Sequence, residues 1–361
     1  RQVGKTTLLR RLFPRAHYLL VDNESIRDIL TRYDITAYRE LISPNTKIVV
    51  IDEIHLLSDP GRAAKIITDQ MPDVKLIITG SSAFTIKNKA TESLAGRKID
   101  YHLYPLTISE YLLQKGVTSQ LDFSVLSAYT KQHRLYPYDL AAILDTVLVY
   151  GLYPYLVTRP ADQPYLTNLV DSVIFRDILD LSLIENRPAA LSLLRALALQ
   201  IGSLVNMHEL ANRTGLSSKT VRRYLTIFEQ SFLIFSLPPF TARQRDEIGK
   251  MNKVYFWDVG LRNALIGNFQ PLNLRLDAGH LWENFVVSEI AKANYYSHTG
   301  YTLHFWRTTQ GSEVDLVLQR GNETVGLEIK TVVKHINRAF LTRYPQAKLF
   351  VITRNNFIAS R

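Results

Sequence analysis

Three groups of residues are of types and spacings that could do chemistry, and the first two belong together. Arg1-Gln2-Val3-Gly4-Lys5-Thr6-Thr7 matches the second half of G-x-x-x-x-G-K-[ST], the loop that holds phosphate at the first turn of a helix. Gly4 lets the backbone close on phosphate oxygens, and the amides after it form an anion nest. Lys5 would reach the β and γ phosphates and Thr6 would place its hydroxyl on Mg²⁺, while Thr7 packs or caps. The first glycine of the pattern and the strand before it are missing from the sequence. The second group closes the run Lys47-Ile48-Val49-Val50-Ile51-Asp52-Glu53-Ile54-His55. Its continuous apolar stretch suits a strand buried on both faces of a parallel sheet, and two acids at a carboxyl end sit where open α/β sheets bind ligands. Asp52 would then hold Mg²⁺ through water, and Glu53 would orient and polarise an attacking water. Each group alone has a bland alternative, a basic helix start or a strand ending in solvated acids. Their occurrence in this order, with room for a helix and a strand between, favours a nucleotide site.

The third group lies in the last hundred residues. In Glu313-Val314-Asp315-Leu316-Val317-Leu318, alternation places Val314, Leu316 and Leu318 on one face and Asp315 on the other. In Val325-Gly326-Leu327-Glu328-Ile329-Lys330, Glu328 and Lys330 share a face opposite Val325, Leu327 and Ile329. If the two strands pair, Asp315, Glu328 and Lys330 converge. Glu283 has apolar neighbours at i+4 and i+7, Val287 and Ile290, and so points inward from its helix. The competing reading is an amphipathic hairpin with a salt-bridged Glu328–Lys330 pair and Glu283 at a helix edge.

Positioning the first two groups requires an alternating α/β arrangement. His17–Asp22, after the first helix, and Val74–Ser82, after the acidic run and a further helical stretch, read as more strands, which is the rhythm of a parallel sheet. Thr79, Ser81 and Ser82 end their strand beside the acids. They suit a hydroxyl that senses the γ-phosphate, or equally a polar strand-to-loop turn. Residues 105–190 read as helical, with Ile108–Leu113 and Ala141–Tyr150 at helical spacing and breaks at Gly151 and Pro154. Leu204–Phe235 has the shape of a helix-turn-helix. A helix runs through Met207–Ala211, a turn follows at Thr214-Gly215-Leu216, and a second helix opens at Ser217 or Ser218. That second helix carries Lys219, Arg222 and Arg223 and buries Val221, Leu225 and Phe228, which suits DNA contact or a purely protein-binding winged helix.

Taken together, RQVGKTT, KIVVIDEIH, LIITGSSA, SLAGRKI with YHLYPLTISEY, VYGLYPYL, VIFRDI, KVYFWDVGL, HLWENFVVSEI and WRTTQGSEVDLVL…GLEIK resemble the AAA+-type P-loop ATPases of archaea and bacteria that carry a C-terminal domain of unknown function. The resemblance covers nearly the whole chain. It implies ATP binding and hydrolysis with Mg²⁺, and a Gly-Pro before RQVGKTT that is absent here. It also makes Arg97 of the LAGR segment a candidate for stabilising transition-state charge, in cis or across an oligomer interface, with a solvated loop arginine as the alternative. Arg176 and Asp177 resemble the family's Arg-Asp pair and would tie helices together. The third group looks like the D…E-x-K core of the restriction-endonuclease-like fold. There Asp315 and Glu328, with Glu283, would hold Mg²⁺, and Lys330 would activate water or stabilise a phosphorane.

The expected fold is therefore α/β. Residues 1–104 form a P-loop parallel-sheet module, 105–190 a helical lid or connector, 191–258 a winged-helix-like module, and 259–361 a restriction-endonuclease-like domain. In a chain of 361 residues that is 46% apolar, such cores are affordable. The absence of cysteine excludes disulfides, cysteine zinc sites and a cysteine nucleophile, and the nine histidines show no metal-ligand spacing. No apolar run spans a bilayer and no leader opens the sequence, so a cytoplasmic chain without membrane contact is expected. Forty-three Lys and Arg against 33 Asp and Glu give +10, which favours a polyanionic partner. The readings that follow are an ATPase coupling nucleotide state to DNA or partner binding, a Mg²⁺-dependent nuclease regulated by the ATPase, and a nucleotide switch acting on another protein, with an oligomer possible in each.

Overall fold

The computed structural model describes residues 2–80, 96–116, 140–172, 184–241, 251–331 and 338–357. They belong to two compact units, one drawn from Arg1–Leu103 with Val173–Glu185, the other from Tyr104–Ser172 with Asn186–Arg361. Among the described residues no helix is long and apolar enough to cross a membrane.

The first unit contains α1 (Lys5–Leu12), β1 (His17–Leu20), α2 (Glu24–Leu30), α3 (Ile35–Leu41), β2 (Ile48–Asp52), α4 (Pro60–Gln70) and β3 (Lys75–Ile78). The strands pair in parallel in the order β1-β2-β3, with Leu20 opposite Asp52 and Ile51 opposite Ile78. In β2, Val49, Val50, Ile51 and Asp52 are all buried, because a central parallel strand is covered on both faces. Val49 and Ile51 pack with Leu19, Val21, Leu30, Tyr38, Ala63, Ala64 and Ile67 from the flanking strand and helices. The helices begin where side-chain oxygens satisfy orphan amides. Asn23 accepts from Ser25, Asp34 from Ala37, and Asp59 from Arg62, with Pro60 fixing the first turn of α4. At α1 the cap is Gly4, whose left-handed φ of 89° is costly for a residue with a Cβ.

The second unit begins with α5 (Ile108–Gln114), α6 (Leu140–Tyr150), α7 (Tyr155–Thr158) and α8 (Gln163–Val170). Three helices follow, α9 (Arg187–Leu199), α10 (Met207–Thr214) and α11 (Ser218–Gln230), then the antiparallel pair β4 (Ile234–Leu237) and β5 (Lys253–Phe256). Leu204, between α9 and α10, bridges antiparallel to Lys253 on β5. Gly215 ends α10 in the left-handed region and the Ser217 hydroxyl caps α11, both as the turn residues require. Next come α12 (Val259–Ile266) and α13 (Ala278–Tyr296). A Cβ on Gly260 would lie 2.0 Å from the carbonyl oxygen of Tyr150, so only glycine lets α12 approach the end of α6 this closely. Buried Asp258 ties the same place together, accepting from the amides of Leu152 and Leu261 at 2.7 and 2.9 Å.

The chain ends in a four-stranded sheet of β6 (Thr302–Arg307), β7 (Glu313–Arg320), β8 (Glu323–Ile329) and β9 (Lys348–Ile352), with α14 (Ala339–Arg343) between the last two strands. β6/β7 and β7/β8 are antiparallel and β8/β9 is parallel. The simple alternation expected along β7 does not hold. His304 pairs with Val317 but Trp306 pairs with Val314, so Phe305 lies opposite both Asp315 and Leu316. This bulge puts Val314 and Val317 into one cluster with Trp306, Phe240 and Phe340. Bulges bend a strand and re-aim the side chain beside them, and here that side chain is Asp315.

Candidate functional site

In the first unit the two halves of the phosphate-site signature meet at one carboxylate. The Thr6 hydroxyl, in the first turn of α1, donates to Asp52 Oδ2 at 2.6 Å. The phenol of Tyr18 on β1 donates to the same oxygen at 2.5 Å, and the Thr79 hydroxyl after β3 donates to Oδ1. Asp52 is only 1% exposed. Burial alone would raise its pKa, but the hydrogen bonds from Thr6, Thr79 and Tyr18, helped by the charge of Lys5, hold it below the usual carboxylate value. Burial and the bond to Asp52 push the Tyr18 phenol up to about 12, so it stays a donor through the physiological range.

Glu53 follows directly in the left-handed region, with φ 57° and ψ 40°. This conformation is strained for a residue with a long side chain, and such strain clusters at functional sites. It is held from behind. The Glu53 amide donates to Thr79 Oγ1 at 3.3 Å, the Ile54 amide to the Thr79 carbonyl at 2.9 Å, and the Thr79 amide to the Ile51 carbonyl at 2.9 Å. Glu53 Oε2 lies 3.1 Å from His55 Nδ1. Thr79 thus fixes both acids at once. Thr7 is exposed on α1. Arg97 is an exposed side chain that ion-pairs with Asp69 on α4. Ser81, Ser82, Arg176 and Asp177 lie outside the described residues.

Sequence reasoning missed Tyr18 and His55. The signal for Tyr18 was its place inside a buried parallel strand, where a phenol hydroxyl needs a partner. The donor set suits Mg²⁺, a hard cation that keeps several waters and takes one or two protein oxygens together with phosphate oxygens. A threonine hydroxyl 2.6 Å from a buried carboxylate supplies those two oxygens.

In the second unit the pairing of β7 with β8 brings Asp315 and Lys330 together. Lys330 Nζ lies 3.5 Å from Asp315 Oδ2, which also accepts the Ile329 amide at 2.7 Å. Glu328 is buried on β8, next to the Leu327 that pairs with Leu316. Glu283, on α13, is held by Lys253 Nζ at 3.1 Å and by the Tyr255 hydroxyl at 2.7 Å. The same ammonium reaches Glu313 Oε1 at 2.5 Å. Burial alone would favour neutral Lys253, yet Glu283, Glu313 and Asp315 outweigh it and raise the ammonium's pKa above its usual value. Among the described residues no three His, Asp or Glu are grouped to hold a metal ion. On the basic helix, Lys219, Arg222 and Arg223 are exposed while Val221, Leu225 and Phe228 are buried.

Comparison with known proteins agrees with the N-terminal geometry. Residues 1–112 match the AAA domain, which supports an AAA-type ATPase family and nucleotide binding for this region. Residues 141–272 and 278–360 match two domains of unknown function, DUF8612 and DUF4143. An uncharacterized protein of Haemophilus influenzae is 24% identical over 70% of this chain and 58% of its own length. Uncharacterized protein Rv2008c of Mycobacterium tuberculosis is 27% identical over 91% of this chain and 68% of its own. The chain therefore spans roughly three fifths to two thirds of these relatives. Uncharacterized protein MJ1637 of Methanocaldococcus jannaschii is 25% identical over 73% of this chain and 60% of its own.

Proposed function

We propose that this protein binds ATP with Mg²⁺ and hydrolyses it, and that nucleotide state in the first unit sets how the second unit engages DNA. The observation that carries the ATPase reading is the 2.6 Å bond from Thr6 to buried Asp52, made beside a left-handed Glu53. Gly4 and the first amides of α1 would cradle the phosphates, with Lys5 on the β and γ groups. Thr6 and Asp52 would hold the ion, which when bound neutralises charge on the phosphate oxygens. Glu53, fixed from behind by Thr79, would orient the attacking water, and His55 would steady the Glu53 carboxylate. ATP hydrolysis by the chain, compared with Lys5→Ala and Glu53→Gln, tests this. Turnover abolished in both, with nucleotide still bound by Glu53→Gln, is expected; turnover indifferent to both would overturn the assignment.

The DNA part of the proposal is supported by the α9–α10–α11 helices followed by the β4/β5 hairpin, which is the element order of a winged helix. The exposed Lys219, Arg222 and Arg223 on α11, in a chain of net charge +10, fit phosphate contact. A nucleotide switch that engages only another protein would instead leave turnover and binding indifferent to DNA. The α13–β6–β7–β8–α14–β9 order, with its two antiparallel and one parallel pairings, supports a restriction-endonuclease-like fold for the end of the chain. A Mg²⁺-dependent nuclease is favoured by one contact, the 3.5 Å approach of Lys330 to Asp315. Plasmid nicking in Mg²⁺, with and without ATP, that disappears in Lys330→Ala would establish it.

A further inference from the structure

The acidic cluster of the second unit has its own cation. Lys253 projects from β5 to a point between Glu283 on α13, at 3.1 Å, and Glu313 on β7, at 2.5 Å, and its side chain is only 3% exposed. Each of three acids there has a cationic partner. Glu283 has Lys253, Glu313 has Lys253 with Arg307 at 3.8 Å, and Asp315 has Lys330 at 3.5 Å. The surroundings are built around this arrangement. The Tyr255 phenol donates to Glu283 from the same strand as Lys253, and the chain at Gly202 covers the Glu283 carboxylate. Gly202 is in the left-handed region, and a Cβ there would stand 3.1 Å from Glu283 Oε1. Leu204 then pairs with Lys253 itself.

We infer that the Lys253 ammonium is the resident cation of this cluster and occupies the place that the carboxylates of a restriction-endonuclease-like fold would give to a divalent metal. The inference rests on the fold reading proposed above and argues against its nuclease branch. A metal entering between Glu283 and Asp315 would have to share the Glu283 carboxylate with a buried ammonium and meet the Lys330 ammonium at Asp315, and like charges so close repel strongly. The cluster thus joins the β4/β5 hairpin to α13 and β7 by charge, and the sheet serves as a binding fold without metal-dependent phosphodiester cleavage.

Terbium luminescence on the full chain tests this, because Tyr255 lies within hydrogen-bond distance of Glu283 and would sensitise Tb³⁺ bound there. Tyr18 would sensitise Tb³⁺ at Asp52 in the same way, so only emission that depends on Glu283 is counted. The expected result is identical titrations for wild type and Glu283→Gln, and a new saturable emission in Lys253→Met that is lost again in Lys253→Met/Glu283→Gln. Wild-type emission that falls in Glu283→Gln would overturn the inference, and so would a folded Lys253→Met that gains nothing. Should Lys253→Met fail to fold, the comparison of wild type with Glu283→Gln still decides, since a resident metal site must lose emission there. The fold reading fails separately, if an experimental structure places β6–β9 in another order.

Discussion

Thr6 and Asp52 are 46 residues apart in sequence and share a hydrogen bond of 2.6 Å. The bond joins the first turn of α1 to the end of the central strand β2, so the two residues to which the proposed function gives the metal already stand together. A hydroxyl that already touches the carboxylate needs little rearrangement to become its co-ligand, which is the economy of a preorganised site.

Thr6→Ala should therefore reduce ATP turnover by roughly 10²-fold, the scale of losing one preorganised polar group at a phosphoryl-transfer site. The loss should be partly recovered at high Mg²⁺, because the defect lies in holding the ion. Steady-state rates across a Mg²⁺ titration measure this, and a Mg²⁺-independent defect would assign Thr6 to folding of α1 instead.

Thr6, Asp52 and Glu53 were legible because local patterns encode them: a helix-opening GKTT and an aliphatic run that ends in two acids. The parallel character of the sheet followed from the same alternation of strand and helix. Tyr18 and Thr79 needed the parallel register that sets Leu20 opposite Asp52, and no short pattern states a register. On β7 the expected alternation failed at Asp315 because one extra residue bulges out of the pairing with β6. Lys253 was invisible for a different reason. A lysine opening a four-residue strand reads as an exposed edge, and only the long-range approach of Glu283 and Glu313 makes it a buried ammonium.

Tyr18→Phe tests the third donor to Asp52. Hydrogen bonds to a charged group contribute about 1.5–3 kcal/mol, and with Thr6 and Thr79 still donating the lower end is expected. Urea denaturation should show a loss of about 1–2 kcal/mol, with ATP turnover changed far less than in Thr6→Ala. Equal stability in the two proteins would mean that a water replaces the phenol at Asp52.

Asp277 is gripped by two buried guanidiniums, with Arg262 Nη1 at 2.5 Å and Arg275 Nε at 2.8 Å. Burial alone would raise its pKa, but the hydrogen bonds and charges of Arg275 and Arg262 hold it far below the usual carboxylate range. A folded pKa below the unfolded one, about 3.9, means stability that is complete above that value and lost as pH falls through it toward the folded pKa. Asp277→Asn should cost about 3–5 kcal/mol, because it leaves two buried cations without their counter-charge. Its stability should also decline less steeply below pH 4 than that of wild type. Urea melts at pH 7 and pH 3 measure both; a wild-type acid limb as shallow as the variant's would remove Asp277 from the acid response.

The exposed side of α11 is basic. Lys219 and Arg222 are exposed on a helix whose other side is buried through Val221, Leu225 and Phe228, so replacing them changes charge without touching the core. If the face meets phosphates, each contact releases condensed counter-ions, and the affinity for duplex DNA falls steeply with salt. Lys219→Gln and Arg222→Gln should each weaken binding similarly on unrelated sequences and lower the slope of log affinity against log salt by about one. Fluorescence anisotropy with a labelled duplex across a salt series gives both numbers. Weaker binding with an unchanged slope would place the phosphate contacts elsewhere on the chain. Binding unaffected by either substitution would turn this helix toward a protein partner, for which duplex DNA leaves ATP turnover unchanged.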